Sequence, residues 1–243
     1  MLALEPTASK YDLHFSVGRI PIRIHPMFWL ITGMLGIVGG NPTVFTVVLW
    51  IAAVLVSLLV HELGHALVAK AHGWPPSITL YGMGGVASYR PTRATPNSQI
   101  LIAAAGPGAG FVLGGLLIAG VLATGHSIDL PGLFIHLGSG PSLLASPGRL
   151  EIFVNYLLFV NIFWGLINLA PIQPLDGGTI ASALFSRYTP RTALQRSLQL
   201  GVGTCVALGI VGLVLWGSPF IVLMFGMLGY NNWQMLQRAR GLR

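Results

Sequence analysis

The stretch LLVHELGHALVAK, Leu58 to Lys70, decides how this chain reads. Directly before its first histidine run eighteen residues, Thr43 to Val60, without a single charge. On a helix, His61 and His65 stand four apart and project from one face, so both imidazoles can grip one ion. Glu62 sits beside them, positioned to handle a water that the ion polarises. An ion-paired glutamate among packed histidines is the plainer alternative. No basic residue lies near on that helix, and unpaired charge in lipid is costly.

Working outward, the whole chain has a membrane composition. Only 8% of its 243 residues are charged and 53% are hydrophobic, against roughly 25% charged in an ordinary soluble domain. Apolar spans can be drawn at Pro26 to Gly40, Thr43 to about Lys70, Gln99 to Ala123, Ile152 to Ala170, Leu198 to Gly217 and Pro219 to about Leu236. The expected fold is an all-α integral membrane protein of about six transmembrane helices. It forms one membrane-embedded domain over residues 1–243, with a core of about 20–185 and two further helices within about 198–236. Two extended pieces, GRIPIRIHP and SITLYGMGGVASYRP, read as short strands near the active site. Residues 1–19, with Glu5, Lys10, Asp12 and Arg19, lack the apolar centre of a secretory signal, so no cleaved leader is expected.

The single cysteine, Cys205, rules out an intrachain disulfide and a cysteine-built zinc site. The net charge of +7 does not signal nucleic acid, because the basic residues sit in short segments between apolar runs. With six spans and a cytoplasmic N-terminus, Lys10, Arg19, Arg23, Lys70, Arg90, Arg93, Arg187, Arg191, Arg196, Arg238, Arg240 and Arg243 face inward, and only Arg149 faces out. Dropping the short first span weakens that split, so six are preferred. Both termini, the strands and the active site then belong to the cytoplasmic side.

A catalytic zinc takes three protein ligands and leaves one position open. The second and fourth spans run the same way, and their inner ends, at His61 and Asn168, reach similar depth. Just beyond Asn168, in LAPIQPLDGG, Pro171 and Pro174 break the helix and Asp176 enters what reads as a tight Gly-Gly turn. Asp129 and Glu151 belong to the opposite face, while Glu5 and Asp12 lie in a polar N-terminal segment. Asp176 is therefore the best third ligand, with His72 a rival beyond the helix end. His14 and His25 read as surface or interface residues, and His126 and His136 lie on the wrong face. Zinc lowers the pKa of water to about 7, and Glu62 can take the proton so that hydroxide attacks a peptide carbonyl. Asn168 either donates to the developing oxyanion or satisfies backbone groups at its helix end.

With HELGH in one span and NLAPIQPLDGG in a later one, the chain resembles the site-2 protease family of intramembrane zinc metalloproteases. That pattern pairs H-E-x-x-H with N-x-x-P-x-x-x-L-D-G, and Asn168, Pro171, Leu175, Asp176 and Gly177 fill it in order. IHPMFWL, GMGGVASY and AAAGPGAG extend the likeness over about residues 20 to 185. The resemblance implies that His61, His65 and Asp176 bind one Zn2+ per chain, with Glu62 as catalytic base. It also implies that Gly84, Gly85 and Val86 offer an edge to which an unwound substrate adds as a strand. Substrates of such enzymes are single-pass membrane proteins: anti-sigma factors, membrane-tethered transcription factors and signal-peptide remnants. The expected setting is the lipid of a bacterial or archaeal inner or plasma membrane, where intramembrane proteolysis is regulated. Two departures are Gly110, where many relatives carry Asn, and the lack of a PDZ or CBS module. The rival function is a membrane metal or ion transporter using the same His/Asp site. Glu62 separates the two, because transport has no need of a carboxylate beside the first ligand.

Overall fold

A computed structural model describes residues 6–38, 42–82, 84–130, 133, 135–143 and 148–241. Glu5, Gly40 and Arg243, named above, lie outside them. The chain divides into two compact units, Met1–Thr92 with Ala105–Leu166, and Arg93–Ala104 with Ile167–Arg243.

The first unit carries a four-stranded sheet in the order β1 (Leu13–Val17), β2 (Ile20–Ile24), β3 (Ser77–Tyr81), β4 (Gly84–Ser88). β1 and β2 form an antiparallel hairpin whose turn uses Gly18 at φ 59°, a conformation that costs glycine little. β2 pairs with β3 in parallel, Ile22 beside Ile78, and β3 with β4 antiparallel, Leu80 beside Gly85. The alternation of Ile20, Ile22 and Ile24 buries one face of β2, which packs with Ile78, Leu80, Phe28 and Ala66. Leu55, Leu58, Leu59 and Leu63 close over that cluster. They lie on α2 (Val44–Ala71), so the sheet is docked on the helix that carries HELGH. β4 is left as an edge.

α2 begins at a reciprocal cap, in which Thr43 Oγ1 accepts from the Thr46 amide at 3.1 Å and Thr46 Oγ1 accepts from the Thr43 amide at 3.0 Å. The same unit holds α1 (Pro26–Val38), the β5–β6 hairpin (Ile128–Leu130, Ile135–Leu137), α3 (Pro96–Ala123) from Ala105 onward, and α4 (Arg149–Asn168) through Leu166. Gly110 and Gly114 of α3 lie against α4. A Cβ on Gly110 would lie 3.2 Å from Asn161 Oδ1, and one on Gly114 would strike Ile162. Phe159–Trp164 of α4 is π-helical, and within it Asn161 Nδ2 donates to Ser57 Oγ and the Leu157 carbonyl, both at 2.8 Å.

In the second unit, α5 (Asp176–Tyr188) is followed by α6 (Ala193–Trp216) and α7 (Pro219–Ala239). The two long helices form a hairpin: Gly217 ends α6 in the left-handed conformation, φ 56°, and Pro219 opens α7. Ile172, Cys205 and Phe225 make its buried core.

Among the described residues the protein is mostly helical, and four helices, α2, α3, α4 and residues Ala193–Leu215 of α6, are long and apolar enough to cross a membrane. α1, with 13 residues, reaches only about 20 Å against a hydrocarbon core of about 30 Å. α7 is diluted by Asn231, Asn232, Gln234, Gln237 and Arg238 in its second half. One expectation needs correcting: Asp176, Gly177 and Gly178 are the first turn of α5. The glycines serve close packing there, since a Cβ on Gly178 would lie 2.6 Å from the Ile172 carbonyl.

Candidate metal centre

α2 sets the first half of the site. His61 and His65, one turn apart, turn their Nε2 atoms toward each other at 3.1 Å, with rings at 79°. Two nitrogens on a tetrahedral zinc, each about 2.0–2.1 Å from it, would be about 3.3 Å apart. The imidazole pair thus has the spacing of one tetrahedral edge. His65 is 7% exposed and Glu62 4%. Around His65 the helices leave no slack: a Cβ on Gly106 of α3 would run into the imidazole, and one on Gly64 of α2 into the Ala105 carbonyl. Glu62 points to the sheet, where a Cβ on Gly85 would stand 2.5 Å from its Cγ and Oε1. Only a glycine at 85 lets the edge strand lie directly on that carboxylate. Gly84 (φ 124°) pairs with Tyr81, and Val86 with Thr79.

Asp176 is half-buried in the first turn of α5, where a carboxylate is favoured by the positive end of the helix. Asn168 ends α4, half-buried, and opens the irregular segment that leads to Asp176. His61 and His65 in the first unit and Asp176 in the second are candidate metal ligands. Two imidazoles and a carboxylate are a donor set that zinc accepts, and they would leave a fourth position for water or substrate.

The remaining histidines are placed as follows. His72 caps α2, its Nδ1 2.8 Å from the Val68 carbonyl and its ring 5.3 Å from Trp74. His25 Nδ1 accepts from the Met27 amide. His126 meets Thr124, and His136 pairs with Asp129 at 2.8 Å. His14 lies exposed on β1. Sequence reasoning missed Asn161, whose amide occupies the place opposite Gly110. It also missed Gly106 and the contact of Gly85 with Glu62. For Asn161 the only signal was an amide in the middle of an uncharged run.

A helical membrane protein with a His-His-Asp donor group beside a glutamate defines a class, and comparison with known proteins agrees. The model of Peptidase family M50 matches residues 49–211, and the chain belongs to that family, the site-2 proteases. It is similar to the Synechocystis protein sll0528, 29% identical over 262 residues that cover 98% of this chain and 62% of that protein. Rip3 of Mycobacterium tuberculosis is 35% identical over 196 residues, 77% of this chain and 43% of that one. The chain thus spans roughly half the length of these curated relatives. Its fold matches the solved structure titled "Site-2 Protease from Methanocaldococcus jannaschii" with a TM-score of 0.57 at 25% identity, covering 93% of this chain and 95% of that one.

Proposed function

We propose that this protein is a membrane-embedded zinc endopeptidase that cuts transmembrane segments of other membrane proteins in regulated intramembrane proteolysis, with one zinc per chain. The observation that carries this reading is the helix-borne imidazole pair of His61 and His65, Nε2 to Nε2 at 3.1 Å, with Glu62 next to His61 on the same helix; Asp176 is the candidate third ligand. When bound, zinc supplies a Lewis acid that activates water at neutral pH. His61 and His65 hold it through Nε2, and Asp176 adds a negative charge that offsets part of the dication. Glu62 takes the proton from the attacking water and returns it to the leaving nitrogen. The Asn168 amide donates to the oxyanion as the carbonyl becomes tetrahedral.

The contact of Gly85 with Glu62 supports a role for β4 in substrate handling. A helix hides its peptide bonds, and a segment unwound onto the edge at Gly84, Gly85 and Val86 would present one of its carbonyls beside the carboxylate. By composition and charge distribution the chain acts as one domain with six spans. Its termini, sheet and catalytic groups lie on the cytoplasmic side of a bacterial or archaeal membrane. Suitable substrates are single-pass proteins such as anti-sigma factors, tethered transcription factors or signal-peptide remnants.

The test uses purified Glu62→Gln. It should retain near-stoichiometric zinc while cleavage of a model transmembrane substrate falls by about 10²–10⁴-fold, the usual worth of a positioned base. Cleavage at the parent rate would sink the mechanism. A parent protein that holds no zinc would sink the assignment.

A further inference from the structure

The second half of α7 contains an asparagine that none of the roles above employs. Asn232 is completely buried, at 0% exposure. A carboxamide in an apolar helix is expensive unless all its polar atoms are met. Here they are met by an unusual partner. The Gln173 amide donates to Asn232 Oδ1 at 3.1 Å, and Asn232 Nδ2 donates to the Gln173 carbonyl at 2.6 Å and to the Leu228 carbonyl of its own helix at 2.8 Å. The side-chain amide and the backbone of Gln173 pair as two strand residues would, each giving one hydrogen bond and taking one.

Gln173 stands three residues before Asp176, in a segment that satisfies itself only in part: the Ile172 amide donates to the Ala170 carbonyl and the Leu175 amide to the Ile172 carbonyl, while Gln173 is met by Asn232. Pro171 and Pro174 keep it out of a helix, and irregular backbone at membrane depth persists only where protein meets its polar groups. The surroundings hold both partners in place. A Cβ on Gly201 of α6 would sit 2.6 Å from Asn232 Oδ1 and 3.1 Å from the Pro171 carbonyl. Ser197 Oγ donates to the Gly178 carbonyl at 3.2 Å, on the far side of Asp176. Ile172, at 0% exposure, locks the segment into the core of the α6–α7 hairpin.

We propose that Asn232 is a positioning residue. By clamping the backbone at Gln173 it fixes where α5 starts and so where the Asp176 carboxylate points. The last two helices thereby become the support of a metal ligand. This inference rests on the reading of Asp176 as a zinc ligand. Loss of a partner that orients a ligand typically costs about 10–100-fold in metal affinity.

Zinc affinity of the purified full chain, measured by competition with a chelator, tests it in a cycle with Asp176. Asn232→Ala should weaken zinc binding at least about tenfold in the parent and in His65→Ala, yet by less than about twofold in Asp176→Ala, where no carboxylate is left to orient. General loosening of the fold would instead weaken binding by the same factor in every background. An equal loss in all three, or no loss in any, overturns the proposal. If Asn232→Ala does not fold, Gly201→Ala is run through the same cycle, since it keeps the amide and pushes on its oxygen. A parent without zinc affinity would overturn the functional reading itself. A parent that binds zinc and is weakened by Asp176→Ala but indifferent to both clamp variants overturns only the role of Asn232.

Discussion

The two stretches that carry the proposed zinc ligands are built in opposite ways. His61 and His65 ride on α2, a helix of 28 residues whose backbone satisfies itself and whose periodicity alone brings two imidazoles onto one face. Asp176 follows a proline-broken segment that takes part of its support from outside, from Asn232 at Gln173, while Ser197 holds Gly178 just beyond it. A pair borne on a helix is fixed by local geometry and has little freedom to adjust. A ligand at the end of a loop is fixed by side chains remote in sequence, and its position can drift when one of them is lost.

Gly106→Ala strains the rigid half of this contrast hardest. The new methyl group would occupy the space of the His65 ring, and α2 cannot retreat along α3, because Gly64 already rests on the Ala105 carbonyl. Zinc affinity should fall by about 100-fold, the upper end for a disturbed ligand environment, with proteolysis falling alongside. Chelator competition measures it. A loss no greater than the roughly tenfold expected of Asn232→Ala would show that the helical pair is as adjustable as the loop.

Gly85→Ala separates metal from base. Its Cβ would press on Glu62 Cγ and Oε1, with Cδ next nearest. Displacing a reacting group by about 1 Å costs about 100-fold in rate, so kcat should drop to that extent while zinc content stays that of the parent. Loss of zinc together with activity would mean that the edge strand supports the donors, contrary to the role given it here.

The same contrast explains what could be read from the sequence. His61 and His65 were legible because a helix repeats every 3.6 residues, and β2 because Ile20, Ile22 and Ile24 alternate. The strands β3 and β4 were legible from their β-prone residues. β1 was not: Leu13–Val17 is exposed along its whole length and shows no buried face. α5 was misread because Asp-Gly-Gly carries turn chemistry, whereas the packing of Gly177 on the Leu169 and Ala170 carbonyls and of Gly178 on the Ile172 carbonyl explains glycines in a first helical turn. Asn161 lies in a π-helical register, between Ser57 and Gly110, that no periodicity in α4 announces. Asn232 was out of reach for the same reason. It lies 59 residues from the backbone it clamps, and one amide among the several of the second half of α7 gives no hint of its partner.

A third way of holding a segment, by charge, makes the smallest prediction. The N-terminal strands are tied to the residues before them by Asp12, whose Oδ2 accepts from Arg23 Nη1 at 3.0 Å and from the Ser9 amide at 3.1 Å. Burial works against its ionisation, and its Oδ1 is buried without a hydrogen-bond partner. The Ser9 amide, the Arg23 guanidinium and His25 outweigh that and hold the carboxyl below its ordinary value of 3.8. Because the folded form is the weaker base, the tie contributes fully above the ordinary carboxylate range and is lost as pH falls from there through the depressed value. Hydrogen exchange should therefore show the amides of β1 losing protection only below about pH 4, with α2 unchanged at the same pH. Asp12→Asn, which cannot ionise, should show the weaker protection already at neutral pH and no further loss on acidification. If parent and variant follow the same pH course, the tie is not ionic, and the hairpin of β1 and β2 stands on its own ladder as α2 stands on its own turns.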